Sequence, residues 1–160
     1  YILQSNVIKE LAAQGPCVIL GRCGDYVLRE RPNVLRTFVY APLDARIGFA
    51  KSRPDAKDMP DRLWETQLAK HDRARASYYN YYTENRWGEA KNYDLCLNAT
   101  LGREACADLI VAAAKAIAGL IPDDELNEEN ILPKAFDPRV ADAVAAAVAQ
   151  AARESGVARV

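Results

Sequence analysis

The stretch Cys17-Val-Ile-Leu-Gly-Arg-Cys-Gly-Asp-Tyr-Val-Leu28 carries the pattern from which the fold is predicted. It opens with four apolar residues, 17–20, that lie between glycine-containing breaks. Short apolar runs of this kind are typical of strands buried on both faces of a parallel sheet. Arg22 and Asp25 follow at once, and ligands of open α/β sheets bind beyond the carboxyl ends of the strands. The stretch therefore predicts a buried strand followed by a ligand-binding turn.

Arg22 has the clearest chemistry of the residues in this turn. Its guanidinium offers a planar fork of hydrogen-bond donors that suits a phosphate group. The simpler interpretation is that Arg22 and Asp25 pair with each other on the surface. The residues alone leave both interpretations open.

The composition is that of a folded protein with one core, or one core and an appended piece. Half of the 160 residues are hydrophobic and 27% are charged, which argues against overall disorder. The net charge of -1 gives no field to hold nucleic acid or an anionic membrane, so any phosphate site must be a local cluster. No apolar run approaches the roughly 20 residues of a membrane span. The four cysteines lack the spacing of a zinc site, so no metal site is predicted, and free cysteines favour the cytoplasm.

Strands and helices alternate along the first half of the chain, which predicts a parallel sheet with right-handed crossovers. A helix with apolar residues at helical spacing comes first and ends at Gly15-Pro16. Further strands are predicted at residues 35–41, which are rich in β-branched and aromatic side chains, and at residues 93–97. Asp44 is the predicted cap of the helix between these two strands, and Thr100 that of the helix after them.

The middle of the chain differs in character. Residues 52–60 are polar and predict a loop, and residues 61–86 predict one long polar helix or two in succession. Asp72 lies three residues before Arg75, and Arg75 lies four before Tyr79, so the three can share a helix face. A basic segment beside aromatic residues suits a phosphate and a base. The alternative is a solvated helix whose tyrosine face packs on the sheet, since charged helix faces are usually just solvated.

The end of the chain predicts structure rather than chemistry. Residues 121–136 are largely polar and acidic, which indicates a linker. Asp137 is a strong helix cap, and the proline after it suits the first helical position. Three valines at four-residue spacing, from Val140 to Val148, form one stripe of an alanine-rich helix. An isolated helix of this length is marginal in water, so we expect it to pack on a second copy, making a homodimer, or on an open face of the core.

Four separated segments resemble one protein family. They are QSNVIKELAAQGPCVILGRCGDYVL (4–28), LRTFVYAPLDARI (35–47), KHDRARASYYNYYTENRWG (70–88) and NYDLCLNATLG (92–102). In this order they are similar to the cytidylate kinase-like family of P-loop nucleoside monophosphate kinases, a resemblance that extends over residues 1–111. The resemblance implies an α/β fold with the three-layer parallel sheet of those kinases. It also implies phosphoryl transfer from ATP, with Mg²⁺, to a nucleoside monophosphate such as CMP.

The resemblance further implies roles for single residues. Substrate binding falls on Gly21, Arg22 and Asp25. Catalytic roles fall on Arg73 and Arg75, which belong to a lid at residues 52–88. Further contacts with the nucleotide fall on Lys70, Asp72, Arg46 and Arg53. Such enzymes need positioning, charge neutralisation and exclusion of water rather than a strong nucleophile.

The phosphate cradle of these kinases is missing from the sequence. A P-loop reads GxxxxGK followed by Ser or Thr, so that backbone N–H groups, a lysine and a hydroxyl surround the phosphates. No such run exists in the 160 residues. The resemblance places that loop and the first strand of the sheet before Tyr1. We therefore expect the fold to lack its first strand and the chain to transfer no phosphate by itself.

A second resemblance covers the tail. Residues 112–159 are similar to the carboxyl-terminal end of bacterial malic enzymes, NAD(P)-dependent oxidoreductases whose catalytic and metal residues lie upstream of this segment. The expected organisation is a kinase-like α/β domain at 1–120, an acidic linker at 121–136 and a helical appendage at 137–160. Besides an inactive kinase, two alternatives stay open. One is a non-catalytic nucleotide-binding or structural chimera, and the other is a malic enzyme fragment.

Overall fold

The computed structural model describes residues 1–31, 33–120 and 137–158, and shows a mixed α/β chain. The described helices are α1 (Ile2–Gln14), α2 (Gly24–Val27), α3 (Leu43–Ser52), α4 (Asp61–Thr83), α5 (Arg103–Ala118) and α6 (Pro138–Glu154), and the strands are β1 (Thr37–Tyr40) and β2 (Leu95–Asn98). None of these helices is long and apolar enough to cross a membrane. The predicted linker at 121–136 lies outside the described residues.

The two strands form a small parallel sheet, which confirms the pairing expected from the alternation of strands and helices. Thr37 lies opposite Leu95, and Tyr40 lies opposite Asn98. The pair begins at a clamp, because the backbone N–H of Arg36 donates to Asp94 Oδ2 at 2.8 Å and its guanidinium donates to both carboxylate oxygens at 2.7 and 3.0 Å. A bidentate, charge-assisted contact of this kind fixes where the two strands start relative to each other.

The prediction of a strand at residues 17–20 is wrong. These residues pair with no strand in the described part of the chain. Val18 and Leu20 are 89% and 86% exposed, although their sequence is that of a buried strand. A strand needs a neighbour for its backbone hydrogen bonds, and no described residue supplies one here. The free edge of β1 also has no neighbouring strand among the described residues, and Val39 and Tyr40 there are about half exposed.

A small core joins α1 to α2. Its buried members are Ile8, Val27 and Leu28, against which the half-buried Ile19 and Val34 pack. The first helix ends at Gly15, as its sequence predicts. This core holds the segment around the Arg22 turn against one face of α1.

The second core lies between β2, α5 and α6. Leu97, Cys106 and Leu109 are buried in it, and residues of α6 such as Val148 and Ala152 cover them. The Asp137 cap is confirmed, because its carboxylate accepts a hydrogen bond from the backbone N–H of Arg139 at 2.9 Å.

The terminal helix therefore packs on α5 of its own chain, so the expected packing on an open face of the core is wrong, while the homodimer stays a prediction. Ala113 has no exposed surface, so the two helices approach closely around small side chains. The apolar stripe that suggested a homodimer is used inside the chain.

Two predicted caps are wrong, and both helices begin at other residues. Helix α3 begins at Leu43 directly after Pro42, so Asp44 lies in the first turn and makes no cap hydrogen bond. Helix α5 begins after Gly102, whose φ of 97° only glycine adopts easily. Thr100 lies in the preceding short 3-10 turn, where its N–H donates to Asn98 Oδ1 at 3.1 Å.

Candidate functional site

The turn after residues 17–20 has an unusual backbone. Gly21, Arg22 and Cys23 have φ values of 65°, 59° and 57°, so three consecutive residues are left-handed. Such a conformation costs about 1–3 kcal/mol at a non-glycine residue, and it persists at sites where the surroundings hold it. Gly24 lies close by, where an added Cβ would come within 3.0 Å of Ile19 Cγ2. The strain and the tight approach mark this turn as a candidate site.

Arg22 and Asp25 do not pair with each other, so the simple surface-pair interpretation is wrong. Arg22 is exposed and makes no hydrogen bond or ion pair with any residue that the structure describes. Asp25 instead accepts a hydrogen bond at Oδ2 from the Tyr79 hydroxyl, at 2.6 Å. The turn thus presents an unpaired guanidinium three residues before a carboxylate that is anchored through one oxygen.

A half-buried polar network surrounds Asp25. Burial and the hydrogen bond to Asp25 raise the pKa of Tyr79 well above its usual range, so this hydroxyl stays protonated and donates. Burial and the charge of Asp25 also raise the pKa of Tyr93. The hydrogen bond to Asp94 raises the pKa of Arg36, and the negative charge of Asp25 raises it further. The hydrogen bond from Tyr79 joins the turn to α4, while Arg36 and Tyr93 feel the charge of Asp25.

The predicted lid residues form a separate group where α3 meets α4. Arg46 of α3 pairs with Asp72 of α4 at 2.7 Å, and Arg75 reaches the other oxygen of Asp72 at 3.0 Å. The predicted shared face of Asp72 and Arg75 is therefore confirmed. Arg53 pairs with Asp55, two residues further along the chain.

Two further residues to which the resemblance gives a role, Lys70 and Arg73, are exposed. They make no hydrogen bond or ion pair within the described ranges. No such contact in those ranges joins the Arg46–Asp72–Arg75 group to Arg22 or Asp25 either. The structure therefore leaves Lys70 and Arg73 available to an anionic ligand.

The tyrosines of α4 pack chiefly on α1, which differs from the predicted packing on the sheet. Tyr82 stacks on Tyr1 with ring centroids 4.5 Å apart, and Tyr78 donates its hydroxyl hydrogen to Gln4 at 2.9 Å. Tyr81 is 79% exposed. Only Tyr79 among them turns into the polar network.

The described residues contain no cluster of three or more His, Cys, Asp or Glu that could hold a metal ion. Burial, with the charge of Asp25 adding to it, raises the pKa of the Cys23 thiol, which disfavours the thiolate needed for nucleophilic chemistry. The polar side chains that the turn presents are therefore the Arg22 guanidinium and the Asp25 carboxylate.

A family model described as "Cytidylate kinase-like family" matches residues 1–101. The chain belongs to the cytidylate kinase-like family. That match contains the Arg22 turn, the α4 basic residues and both strands. A solved structure, the crystal structure of an uncharacterized protein from Eubacterium ventriosum ATCC 27560, has a TM-score of 0.66 with this chain at 25% identity. The alignment covers 72% of this chain and 64% of that chain.

Two known proteins are similar to about a third of this chain. The "Bifunctional malic/malolactic enzyme" of Bacillus subtilis (strain 168) is 53% identical over 53 residues, which are 33% of this chain and 13% of that protein. The "NAD-dependent malic enzyme" of Geobacillus stearothermophilus is 47% identical over 57 residues, 36% of this chain and 12% of that protein. The chain therefore spans about an eighth of the length of these relatives.

The sequence alone did not identify Tyr79 as the partner of Asp25. The two residues are 54 positions apart along the chain. The spacing of apolar residues shows only which side chains share a face of one helix or strand. The sequence signal that bears on Tyr79 was the predicted tyrosine face that packs, and Tyr79 is 5% exposed.

Proposed function

We propose that this chain carries the monophosphate-binding and lid parts of a nucleoside monophosphate kinase, in which a phosphoryl group passes from ATP to a CMP-like nucleotide. The observation that carries the proposal is the unpaired Arg22 guanidinium on a strained turn within the segment that matches the cytidylate kinase-like family. An exposed cation held by a costly backbone conformation is typical of a ligand site.

The proposed substrate contacts lie on one turn. Gly21 has no side chain, so a phosphate can approach its backbone. Arg22 presents its donor fork to the phosphate oxygens. Asp25 Oδ2 is occupied by Tyr79, and Oδ1 has no partner among the described residues, so one oxygen stays available to a donor group of the nucleotide.

The proposed lid contacts lie on α3 and α4. Lys70 and Arg73 are exposed and unpaired in the described part of the chain, which suits them to the phosphates of ATP. Arg75 and Arg46 are held by Asp72 and would neutralise charge on the transferred phosphoryl group. Arg53, already paired with Asp55, would have to exchange that partner for a nucleotide. Together these residues would supply positioning and charge rather than a nucleophile.

The 160 residues contain no P-loop, and the described residues do not fit the Mg²⁺ that accompanies ATP in such kinases. The lysine and hydroxyl of a P-loop are absent, so no catalytic step is assigned to the metal here. We therefore propose that the chain binds monophosphate but transfers no phosphoryl group by itself. A non-catalytic nucleotide-binding role, the second candidate, has the same support.

The three-layer kinase sheet is also a proposal. It requires a further strand between residues 17–20 and the free edge of β1, and the exposed Val18, Leu20 and Val39 are the apolar side chains that such a strand would cover. The proposed organisation is a kinase-like domain at 1–120, with its lid at 52–88, and a terminal piece at 137–160. The malic-enzyme match contributes no active-site residue to it, and no observation favours oxidoreductase activity.

Two measurements test the proposal. In calorimetric titration, we expect weak binding of CMP that the variant Arg22→Ala weakens about tenfold or more, because a charge-assisted phosphate contact is lost. Arg103→Ala, an exposed arginine at the start of α5, is the matched control and should bind as the original chain does. In a coupled assay with ATP, Mg²⁺ and CMP, we expect no turnover. Equal affinity of the Arg22 variant, or robust turnover, would contradict the assignment of the site.

A further inference from the structure

The contact between Tyr79 and Asp25 is short and shielded. The hydroxyl of Tyr79 lies 2.6 Å from Asp25 Oδ2, and the Tyr79 side chain is only 5% exposed. This distance is that of a charge-assisted hydrogen bond between a hydroxyl and a carboxylate. It joins the long helix α4 to the first turn of α2, directly after the left-handed residues. No other hydrogen bond or ion pair in the described ranges holds Asp25.

We infer that Tyr79 is a positioning residue for the monophosphate site: its hydroxyl fixes the Asp25 carboxylate and ties the Arg22 turn to α4. The inference rests on the proposed function, since it assumes that Asp25 contacts the nucleotide. Tyr79 itself does not touch substrate in this scheme.

The geometry explains why one tyrosine is enough. A carboxylate held through one oxygen has a defined orientation, so the free oxygen occupies a fixed place relative to Arg22. A tyrosine has few rotatable bonds, and a buried ring has little freedom left to lose when a ligand arrives. The pKa of Tyr79, raised by burial and by Asp25, keeps the donor proton in place throughout the physiological range.

The same contact links two groups of the proposed site. Asp72 and Arg75 lie on α4, seven and four residues before Tyr79, and thus one to two helical turns away. Because a helix moves as a nearly rigid unit, the position of the lid residues and the orientation of Asp25 depend on each other through Tyr79. Occupation of the Arg22 turn is therefore coupled to the placement of α4.

Calorimetric titration with CMP tests the inference in four variants of the full chain. The variants are Tyr79→Phe, Asp25→Asn, the double variant, and the control Tyr81→Phe. We expect Tyr79→Phe and Asp25→Asn each to weaken CMP binding about tenfold, the effect of losing one well-formed charged hydrogen bond. The double variant should be little weaker than either single one, because Tyr79 acts through Asp25. The control removes the hydroxyl of a tyrosine on the same helix that is 79% exposed, and should bind as the original chain does.

A spectroscopic signature separates positioning from mere stability. In the chain labelled at tyrosine Cζ, the resonance that disappears in Tyr79→Phe should not titrate up to about pH 11, beyond the ordinary tyrosine pKa. In Asp25→Asn that resonance should begin to titrate at lower pH, because a hydrogen bond to a charged acceptor has been removed. If Tyr79→Phe fails to fold, Asp25→Asn still decides, since its normal CMP affinity would overturn the inference.

The outcomes distinguish the inference from the function on which it rests. If the original chain binds CMP and Tyr79→Phe binds as well as Tyr81→Phe, the inference is wrong and the proposed function stands. If the two single effects add fully in the double variant, Tyr79 does not act through Asp25 and the inference is wrong. If the original chain binds no CMP, the proposed function fails, and the inference fails with it.

Discussion

The two ends of the chain bury apolar residues to very different degrees. In the α5–α6 pair Leu109 is 3% exposed and Ala113 has no exposed surface. In residues 17–20, Val18 and Leu20 are 89% and 86% exposed although their sequence is at least as apolar. The difference lies in partners, because α5 meets a helix of its own chain and residues 17–20 meet no strand among those described. Packing stabilises the α5–α6 end, and the other end carries the exposed, strained turn at which we propose that the ligand binds.

The largest expected effect comes from making the same substitution at both ends. Leu109→Ala should lower the free energy of unfolding by about 2–5 kcal/mol, because it opens a cavity in a packed core. Leu20→Ala should change it by less than about 0.5 kcal/mol, since the side chain is already in water. Urea unfolding of both variants measures the difference. Similar losses would mean that residues 17–20 are buried and that the contrast drawn here is wrong.

An intermediate effect is expected at the clamp that starts the sheet. Asp94→Ala should destabilise the chain by about 1–2 kcal/mol, because it removes hydrogen bonds to both the backbone and the guanidinium of Arg36. Asp55→Ala is the control: the Arg53–Asp55 side chains are 59% and 70% exposed, against 35% and 29% for Arg36 and Asp94.

An exposed pair contributes little, so the control should lose less than about 0.5 kcal/mol in the same urea titration. Equal losses for Asp94→Ala and Asp55→Ala would show that the clamp does not hold the strands. In that case the start of the sheet would depend on the backbone ladder alone.

The smallest effect concerns pH and the cap of α6. The hydrogen bonds from Arg139 lower the pKa of Asp137, so the folded chain favours the charged carboxylate. A depressed pKa gives stability that is fully present above the unfolded value near pH 4 and is lost as the pH falls below it. Asp137→Asn keeps the cap oxygen and removes the charge. The difference in unfolding free energy between the original chain and this variant should therefore shrink below about pH 4. A difference that stays constant down to pH 2.5 would contradict this cause.

The sequence predicted the parts whose determinants are local. The Asp137 cap depends on neighbours within two residues, and the stop of α1 at Gly15 depends on the glycine itself. The parallel pairing of β1 and β2 followed from the order of strands and helices, which leaves few topologies open. The shared face of Asp72 and Arg75 followed from helical spacing alone.

The remaining features depend on partners that a sequence does not display. The sequence of residues 17–20 predicts a strand because its apolar side chains suit burial. An apolar pattern does not show whether a neighbouring strand is present. Asp44 and Thr100 are good caps by type, but Pro42 and Gly102 set where the helices begin. Tyr79 and Asp25 are 54 residues apart along the chain, and the hydrogen bond between them joins the Arg22 turn to α4. The roles of the candidate site residues stay predictions, and only tertiary contact shows that Tyr79 is paired with Asp25.

The most direct test locates the ligand by nuclear magnetic resonance of the ¹⁵N-labelled chain during titration with CMP. We expect saturable shifts of the backbone amides of Gly21, Arg22 and Asp25, with smaller shifts near Tyr79. We expect the amides of α5 and α6 to shift no more in the original chain than they do in the variant Arg22→Ala. Shifts that are largest in α6, or equal shifts in the original chain and Arg22→Ala, would contradict the assignment of the site to the Arg22 turn.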